Sequence, residues 1–318
     1  MRIGIDVGGT FTDLVAMEDD DSAPVAFKTP TTPADPSDGV LNGIAGLASV
    51  MGLNVRELLN RAQVIIHGTT VATNTLVERK GAKVGLITTE GFRDLLEIRE
   101  GLKEDRYNLR MDQVEPLAPR YLRVGVEERV DSSGKVRREL DVEGLRRQAE
   151  YLKSEGVESV AICFLFSFLN PDHEKEAESV VREVLPDAYV SASHVILPQI
   201  KEFDRLSTTS LNAYVGPSLS SYLKRLETRL TEAGGSAPLF VIQSNGGIAN
   251  GEDSSEQAVR SMLSGPAGGA AGAAFVARQL GEDRVIALDM GGTSTDITLI
   301  EGGSPHIASE KFESGWKI

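Results

Sequence analysis

Residues 3–13 read IGIDVGGTFTD, and residues 286–296 read IALDMGGTSTD. The two segments share the pattern I-x-x-D-x-G-G-T-x-T-D and are identical at seven positions. In each copy an apolar run leads into the glycines and a second apolar run follows, which predicts a strand, a tight turn and a second strand. One copy alone would suit an ordinary β-hairpin. The repeat predicts that the two turns share a task.

The repeated residue types are those that bind a phosphate group. An aspartate that ends the first strand, Asp6 or Asp289, can hold a hydrated Mg²⁺. Paired glycines let the backbone approach a phosphate closely, and backbone N–H groups and threonine hydroxyls then donate to its oxygens. Asp13 and Asp296 follow their threonines and either orient metal-bound water or pair with the backbone. The predicted phosphate-binding residues are Gly8, Gly9, Thr10, Thr12, Gly291, Gly292, Thr293 and Thr295.

Two such turns predict two related half-domains that face each other across a nucleotide. Strand and helix patterns alternate along the rest of the chain, which favours an α/β fold with a largely parallel sheet. We predict a domain at residues 1–190, with the first turn, and the start of a second domain at 191–318. The elements used below are predicted strands at 2–7, 14–17 and 158–168 and predicted helices at 201–232 and 266–280.

Charge and composition exclude several classes of function. The 318 residues include 33 basic and 47 acidic side chains, a net charge of −14, so we expect neither nucleic acid nor an anionic membrane as a partner. The single cysteine excludes an internal disulfide and a metal site built from cysteines. The longest strongly apolar run, residues 160–169, is about half of a membrane span. Asp6 interrupts the apolar stretch at the start of the sequence, so we expect no secretory signal. We expect a cytoplasmic protein.

Two further loops are candidates for substrate binding. His67 ends an apolar run, and Gly68, Thr69 and Thr70 follow at the predicted start of a helix, where N–H groups and hydroxyls suit an anion or a carbonyl. A helix cap with a satisfied histidine is the alternative. The sequence SNGG at 244–247 follows another apolar run and forms either a plain turn or the rim of a ligand cleft. Gly68, Thr69, Thr70, Asn245 and Gly246 are therefore candidates for substrate binding.

The paired turns resemble the phosphate-1 and phosphate-2 motifs of the actin, Hsp70 and sugar-kinase superfamily. The segment GPAGGA at 265–270 resembles the Pro-led helix that precedes phosphate-2 in these proteins. The resemblance implies an actin/Hsp70-like, ribonuclease-H-like ATPase fold, with ATP and Mg²⁺ as cofactors and with Gly268 and Gly269 near the nucleotide. Hsp70-like proteins carry an acid before that proline, and this chain has Gly265 there, so their catalytic acid is not carried over.

A further series of motifs follows in order along the chain: HGTTVATN at 67–74, VGLITTEGFR at 84–93, STTSLNAYVG at 207–216, QSNGG at 243–247, SGPAGG at 264–269 and DMGGTSTD at 289–296. Within the superfamily, this series resembles the ATP-binding A subunit of the hydantoinase/5-oxoprolinase family over about residues 2–312. The resemblance implies that the chain is the N-terminal portion of a longer protein, because the adenosine-binding motifs of the superfamily are expected further downstream.

The family resemblance implies an ATP-dependent hydrolase that opens a cyclic amide such as 5-oxoproline or a hydantoin. It also implies a small-molecule substrate, a hydantoinase B-type partner subunit and an oligomeric assembly. We assign Asp6 and Asp289 as metal-binding and catalytic residues and name His67 as the catalytic candidate for the base that activates water, which the sequence does not identify. Two alternatives stay open: the matching subunit of an ATP-dependent ketone carboxylase, and a nucleotide-binding switch or inactive fragment without a small-molecule substrate.

Overall fold

The computed structural model describes residues 1–18, 23–32, 34–100, 107–108, 110, 114–290, 295–306, 312–313 and 316–317. The fold is mixed α/β, as predicted. Its strands are β1 (Arg2–Val7), β2 (Phe11–Met17), β3 (Val25–Pro30), β4 (Val64–Thr69), β5 (Val84–Thr89), β6 (Arg123–Val126), β7 (Arg129–Val130), β8 (Val136–Arg138), β9 (Ser159–Cys163), β10 (Tyr189–Ala192), β11 (Leu239–Ile242), β12 (Ile248–Asn250), β13 (Arg284–Met290), β14 (Thr295–Glu301), β15 (Ser304–Pro305), β16 (Phe312–Glu313) and β17 (Trp316–Lys317).

Helices connect most of these strands, and two short 3-10 helices lie at Arg120–Leu122 and Ala258–Ser261. Within the described part of the chain, no helix is both long enough and apolar enough to cross a membrane. The α-helices are α1 (Pro36–Val50), α2 (Val55–Arg61), α3 (Val71–Val77), α4 (Leu95–Ile98), α5 (Val142–Ser154), α6 (Asp172–Val184), α7 (Ser193–Ile196), α8 (Glu202–Glu232), α9 (Gly251–Glu256) and α10 (Ser264–Leu280).

Residue contacts divide the chain into two compact units. The first combines Met1–Asn74 with Ser218–Ser309, and the second combines Thr75–Pro217 with Glu310–Ile318. Helix α8 passes from the second unit into the first. The units are defined by contacts between residues and do not decide where the sequence domains divide. The domain boundary predicted between residues 190 and 191 stays a prediction.

The first unit is built on a six-stranded mixed sheet with the order β12-β11-β4-β1-β2-β3. Strands β1, β4 and β11 are parallel, and β1, β2 and β3 form an antiparallel meander. Helix α1 starts after Asp35, whose carboxylate accepts from the Ser37 N–H as an N-cap. Its apolar stripe, Val40, Ile44 and Leu47, is fully buried. Because these residues recur at helical spacing, the stripe faces the sheet, where α1 packs against β2 and β3.

The second copy of the repeat forms the same strand pair in a separate sheet of the first unit, with the order β13-β14-β15. Asp289 pairs with Asp296 in this sheet as Asp6 pairs with Asp13 in the first hairpin. The turn between β13 and β14, residues 291–294, lies outside the described residues. The two copies differ in burial: Leu14 is 1% exposed, whereas Ile297 at the matching position is 66% exposed.

The second unit contains a four-stranded parallel sheet with the order β10-β9-β5-β6. Helices α5 and α6 cover it, and apolar residues from both helices and the sheet form its core. At the carboxyl end of β9, the buried Glu174 carboxylate accepts from the Phe164 N–H at 2.8 Å, and Arg205 donates to the Phe164 carbonyl at 3.0 Å. Both groups of the Phe164 backbone, directly after β9, are thus hydrogen-bonded to buried charged side chains.

Candidate functional site

Asp6 lies next to the end of β1, in a space bordered by two glycines. A Cβ atom placed on Gly68 would lie 2.8 Å from Asp6 Oδ1, and one placed on Gly265 would lie 3.7 Å from it. Gly68 is the register partner of Asp6 in the parallel pair β1–β4, so any side chain there would displace the carboxylate. The HGTT segment and the SGPAGG segment therefore meet at the Asp6 carboxylate.

Asp289 lies beside the same helix that borders Asp6. A Cβ atom on Gly269 would lie 3.8 Å from Asp289 Oδ2. Gly265 and Gly269 are four residues apart in α10 and therefore share one face of the helix. The aspartates of the two repeat copies thus both border the glycine face at the start of α10. The neighbouring Gly268 faces Ile242 instead, whose Cδ1 would lie 3.0 Å from an added Cβ.

The charge around Asp6 is strongly negative. Removal of water by the surrounding protein raises the pKa of Asp6, and the nearby carboxylates of Asp13 and Asp289 raise it further. Lys28 acts in the opposite direction and forms an ion pair with Asp13 at 3.0 Å. A bound cation would relieve the repulsion among the three carboxylates.

The residues at this site suit Mg²⁺, which needs few protein ligands, better than a metal ion whose ligands all come from protein side chains. Among the described residues, no group of three or more histidine, cysteine, aspartate and glutamate side chains could hold a metal ion. Mg²⁺ is usually bound through one or two carboxylates, with waters and substrate phosphates completing its shell. Asp6 and Asp289 match that requirement, and at Gly265 and Gly269 no side chain of α10 stands between the helix and the two carboxylates.

The first glycine turn is fixed by Thr31, which directly follows β3. The Thr31 N–H donates to the Thr10 carbonyl at 2.9 Å, and the Thr31 hydroxyl donates to the Gly8 carbonyl at 2.8 Å. Gly8 N–H donates to the Phe11 carbonyl at 3.0 Å and is therefore used inside the turn. Gly9 and Thr10 are exposed at its tip. Neither Gly8 nor Gly9 adopts a positive φ, so the backbone conformation does not require glycine at these positions. Glycine instead leaves the backbone of the turn open to an approaching group.

Thr12 stabilises this turn through its contact with Thr31. It is fully buried, and its hydroxyl lies 3.0 Å from the Thr31 hydroxyl. In the second copy, Thr295 is exposed and Asp296 is half-buried on β14, while the predicted phosphate ligands Gly291, Gly292 and Thr293 lie outside the described residues. The predicted roles of all these residues in binding phosphate stay predictions.

His67 lies on the opposite face of the sheet from Asp6. It pairs with Ile5, whereas Asp6 pairs with Gly68, and neighbouring residues of a strand point to opposite faces. His67 is fully buried, and its Nε2 lies 2.9 Å from the hydroxyl of Tyr222 on α8. Burial lowers the pKa of His67 to about 4, so the imidazole is neutral at pH 7. This placement is that of a core histidine, and its role as the base stays a prediction.

The threonines after His67 are engaged by the protein itself. The Thr70 hydroxyl donates to the Val7 carbonyl at 3.1 Å and accepts from the Asn74 amide at 3.2 Å. Thr69 is buried, and its N–H donates to the Ser264 hydroxyl at 3.0 Å. Of the HGTT residues, Gly68 is the one that directly borders the Asp6 carboxylate.

Asn245 and Gly246 form an exposed turn between β11 and β12. The Asn245 side chain accepts from the Gly247 N–H at 2.9 Å, and Gly246 has a φ of +82°, which favours glycine. Among the described residues, no hydrogen bond or ion pair joins Asn245 or Gly246 to Asp6 or Asp289. Its predicted role in substrate binding stays a prediction.

Three residues that shape the site were missed at the sequence level: Thr31, Tyr222 and Ser264. Each is a hydroxyl-bearing side chain far along the chain from the residue that it fixes. Ser264 is part of the SGPAGG segment, but its partner Thr69 is 195 positions away, and no periodicity connects the two.

The chain belongs to the hydantoinase/oxoprolinase family. Residues 2–185 match the hydantoinase/oxoprolinase N-terminal region, and residues 205–318 match the hydantoinase/oxoprolinase model. The caprolactamase subunit alpha of Pseudomonas jessenii is 41% identical over 311 residues, which are 97% of this chain and 44% of that protein. The acetophenone carboxylase gamma subunit of Aromatoleum aromaticum is 37% identical over 311 residues, 94% of this chain and 42% of that protein.

The fold matches that of a solved relative. The nucleotide-free structure of acetone carboxylase, described as an enzyme of ATP-dependent acetone carboxylation, superposes with a TM-score of 0.90 at 29% identity and covers 100% of this chain and 46% of that one. The resemblance predicted from the motifs is thereby confirmed for family and fold. The chain spans less than half of the length of these relatives.

Proposed function

We propose that this chain is the nucleotide-binding part of an ATP-dependent enzyme that opens a cyclic amide. The observation that carries the proposal is the placement of Asp6 and Asp289 along the glycine face of α10, at Gly265 and Gly269. A pair of aspartates beside the glycine face at the start of a helix suits a metal ion and a chain of phosphates.

In this proposal the ATP phosphates lie between the two glycine turns and the start of α10. Gly9 and Thr10 donate from the tip of the first turn, whose shape Thr12 and Thr31 maintain. Gly291, Gly292, Thr293 and Thr295 take the same part in the second copy. Gly269 lies on the side of α10 that the nucleotide would approach, and Gly268 lies beside it against Ile242. Asp6 and Asp289 would hold Mg²⁺, which supplies positive charge to the phosphate oxygens when bound; Asp13 and Asp296 orient its waters.

The chemistry that we propose activates a poor electrophile. The amide carbonyl oxygen attacks the γ-phosphorus of ATP, the bond to the β-phosphate oxygen breaks, and ADP leaves. Water then adds to the resulting O-phosphorylated imidate carbon. The ring C–N bond breaks, the nitrogen takes a proton from that water, and the carbon is left as an acyl phosphate. A second water attacks this carbon, the C–O bond to the phosphate breaks, and phosphate leaves with the former carbonyl oxygen. The products are an amino acid, ADP and phosphate, which balance the cyclic amide, ATP and two waters.

The substrate pocket is proposed to lie near Gly68, Thr69 and Thr70 and to be completed by Asn245, Gly246 and a B-type partner subunit. Support for a partner comes from the relatives, which are named as subunits alpha and gamma. The burial of His67 and its bond to Tyr222 favour a structural role over the predicted role as the base for the attacking water.

A ketone carboxylase is the second candidate function. It is favoured by the fold match to acetone carboxylase and by the 37% identity to an acetophenone carboxylase subunit. In that case the γ-phosphoryl group would activate a carbonyl for carbon–carbon bond formation rather than for ring opening.

ADP release in Mg-ATP by the full-length subunit with its partner separates these functions. A panel of 5-oxoproline, hydantoins, caprolactam and simple ketones with bicarbonate is added one at a time. Stimulation by a cyclic amide, lost in Asp289→Asn and retained in the exposed control Asp187→Asn, supports the proposal. Stimulation only by a ketone with bicarbonate supports the carboxylase. ATP binding without stimulation by any compound contradicts both and supports a nucleotide-binding switch.

A further inference from the structure

Thr69, the last residue of β4, lacks a strand neighbour on one side. Its other side pairs with Val7 of β1. On the β11 side, the paired residues of β4 are Ile65, Ile66 and His67, and the pairing ends there. Alternate residues of a parallel strand direct both their N–H and C=O groups to the same neighbour. The Ile65 N–H donates to the Pro238 carbonyl, so Ile65 directs its backbone groups toward β11. Thr69 lies four residues further along β4, an even number, and therefore directs its N–H and C=O toward the same side.

Ser264 takes the place of the missing strand at this position. Its hydroxyl accepts from the Thr69 N–H at 3.0 Å and donates to the Thr69 carbonyl at 2.9 Å. Thr69 is 1% exposed and Ser264 is fully buried, so no water can replace this hydroxyl without rearrangement. One side chain therefore satisfies both backbone groups of Thr69.

The start of α10 packs where β4 and β11 part. Helix α10 contacts both strands, and Gly268 lies against Ile242 at the end of β11. Leu263, the residue before the helix, has a φ of +61°, a conformation that a bulky residue rarely adopts, and it provides no side-chain cap. The described hydrogen bonds that tie this start of the helix to the end of β4 are those of Ser264.

The residue after Ser264 is Gly265, which borders the Asp6 carboxylate. A change in the Ser264–Thr69 bonds would therefore move the glycine face of α10 relative to Asp6 and Asp289. We propose that Ser264 is a positioning residue: its hydroxyl replaces a strand at Thr69 and thereby sets the distance between the start of α10 and the two aspartates. This inference rests on the proposed function of that site.

The test uses the full-length subunit with its partner and three variants. Ser264→Ala removes the hydroxyl, and Ser264→Cys keeps the size of the side chain with a weak donor. Ser261→Ala is the matched control, because Ser261 is also fully buried but donates to Ala258 within its own 3-10 helix. Amide hydrogen exchange of Thr69 and residues 264–270 is measured without nucleotide, and substrate-stimulated ADP release gives kcat and KM.

We expect both Ser264 variants to exchange faster at Thr69 and at residues 264–270 than wild type, and Ser261→Ala to match wild type there. We expect kcat to fall about tenfold or more in Ser264→Ala with the KM for ATP changed less than about threefold, because misplacement by about 1 Å affects the reaction more than binding. If Ser264→Ala does not fold, Ser264→Cys decides in the same way.

Unchanged exchange at Thr69 and residues 264–270 in a folded Ser264 variant would overturn the inference, as would a kcat within about twofold of wild type or an equal fall in Ser261→Ala. If wild type shows no stimulated ADP release, the proposed function fails and the exchange measurement alone decides on Ser264. The two failures are therefore distinguishable.

Discussion

The Nε2 atom of His67 lies 2.9 Å from the hydroxyl oxygen of Tyr222. The two rings are 5.6 Å apart between centroids, and both side chains are buried. This bond holds the imidazole on the α8 side of the sheet, while Gly68, the next residue, faces Asp6 on the other side. Within the HGTT motif, Gly68 thus borders Asp6, whereas His67 and Thr69 are held by Tyr222 and Ser264.

The neutral state of His67 makes the protein sensitive to acid. Its pKa is about 4 in the folded protein and has the ordinary value of 6.5 when unfolded, so protons favour the unfolded chain below pH 6.5. The stability that the neutral imidazole contributes is complete above that pH and declines as the pH falls toward 4. At pH 5 the loss is about 2 kcal/mol. Urea unfolding of wild type and His67→Gln at pH 7.5 and pH 5 measures it.

For each protein, the unfolding free energy at pH 5 is subtracted from that at pH 7.5. Comparing this difference between wild type and His67→Gln removes the effects of acid that both proteins share. His67→Gln keeps a donor near the position of Nε2 and cannot be protonated. Wild type should lose about 2 kcal/mol more than the variant on acidification. Equal losses would mean that His67 is protonated in the folded protein and is not the core histidine described above.

Thr31→Val tests the clamp on the first glycine turn. The substitution removes the hydroxyl that donates to Gly8 and leaves the buried Thr12 hydroxyl without its partner, so we expect a loss of about 1–3 kcal/mol in unfolding free energy. ATP affinity should fall as well, because the turn is no longer held at Gly8. Thr29→Val, two residues earlier on β3, removes a half-buried hydroxyl for comparison. An equal effect of the two substitutions on ATP affinity would contradict the clamp.

Asp6→Asn should stabilise the protein in the absence of ligands. The raised pKa of Asp6 means that its ionised form is disfavoured in the folded state, so folding stability falls as the pH rises above the pKa of the unfolded aspartate. Removing the charge removes the cost of taking it out of water and the repulsion with Asp13 and Asp289, and should raise the melting temperature at pH 7. The gain should shrink as the pH falls below the pKa of the unfolded aspartate, where the carboxyl is protonated in both states. A lower melting temperature at pH 7 would show that the three carboxylates do not repel one another.

The two copies of the repeat should respond differently to the same loss of volume. Leu14 is 1% exposed beneath α1, so Leu14→Ala should cost about 3 kcal/mol in the 318-residue chain. Ile297 holds the matching place in the second copy and is 66% exposed, so Ile297→Ala should cost less than about 0.5 kcal/mol. Chemical unfolding of both variants measures the difference. Similar costs would mean that the second hairpin is covered in solution.

Elements with a strong local signal were predictable from the sequence. The first strand was predicted at residues 2–7 and is observed at Arg2–Val7, and the helices predicted at 201–232 and 266–280 are observed at Glu202–Glu232 and Ser264–Leu280. A strand predicted at 158–168 ends at Cys163. Its apolar run continues, but Phe166 has a φ of 57°, and hydrophobicity alone does not reveal a backbone turn.

The site was predictable where one segment carries the chemistry and not where two segments meet. The aspartates and the first glycine turn follow from the repeat. Helix α2 was missed although Asn54 and Glu57 form a capping box that the sequence contains. The positions of Thr31, Tyr222 and Ser264 depend on which strands become neighbours, and no local pattern encodes that. The direction of the His67 side chain was missed for the same reason, since it follows from the register of β1 with β4.

The central claim is that the two aspartates of the repeat hold one Mg-ATP together. Calorimetric titration of Mg-ATP into the full-length subunit, and into its Asp6→Asn, Asp289→Asn and Asp187→Asn variants, tests it directly. We predict that Asp6→Asn and Asp289→Asn each weaken Mg-ATP binding about 100-fold, close to 3 kcal/mol, while Asp187→Asn binds as wild type does. Wild-type affinity in Asp289→Asn would contradict the claim, because the second copy of the repeat would then take no part in binding the nucleotide.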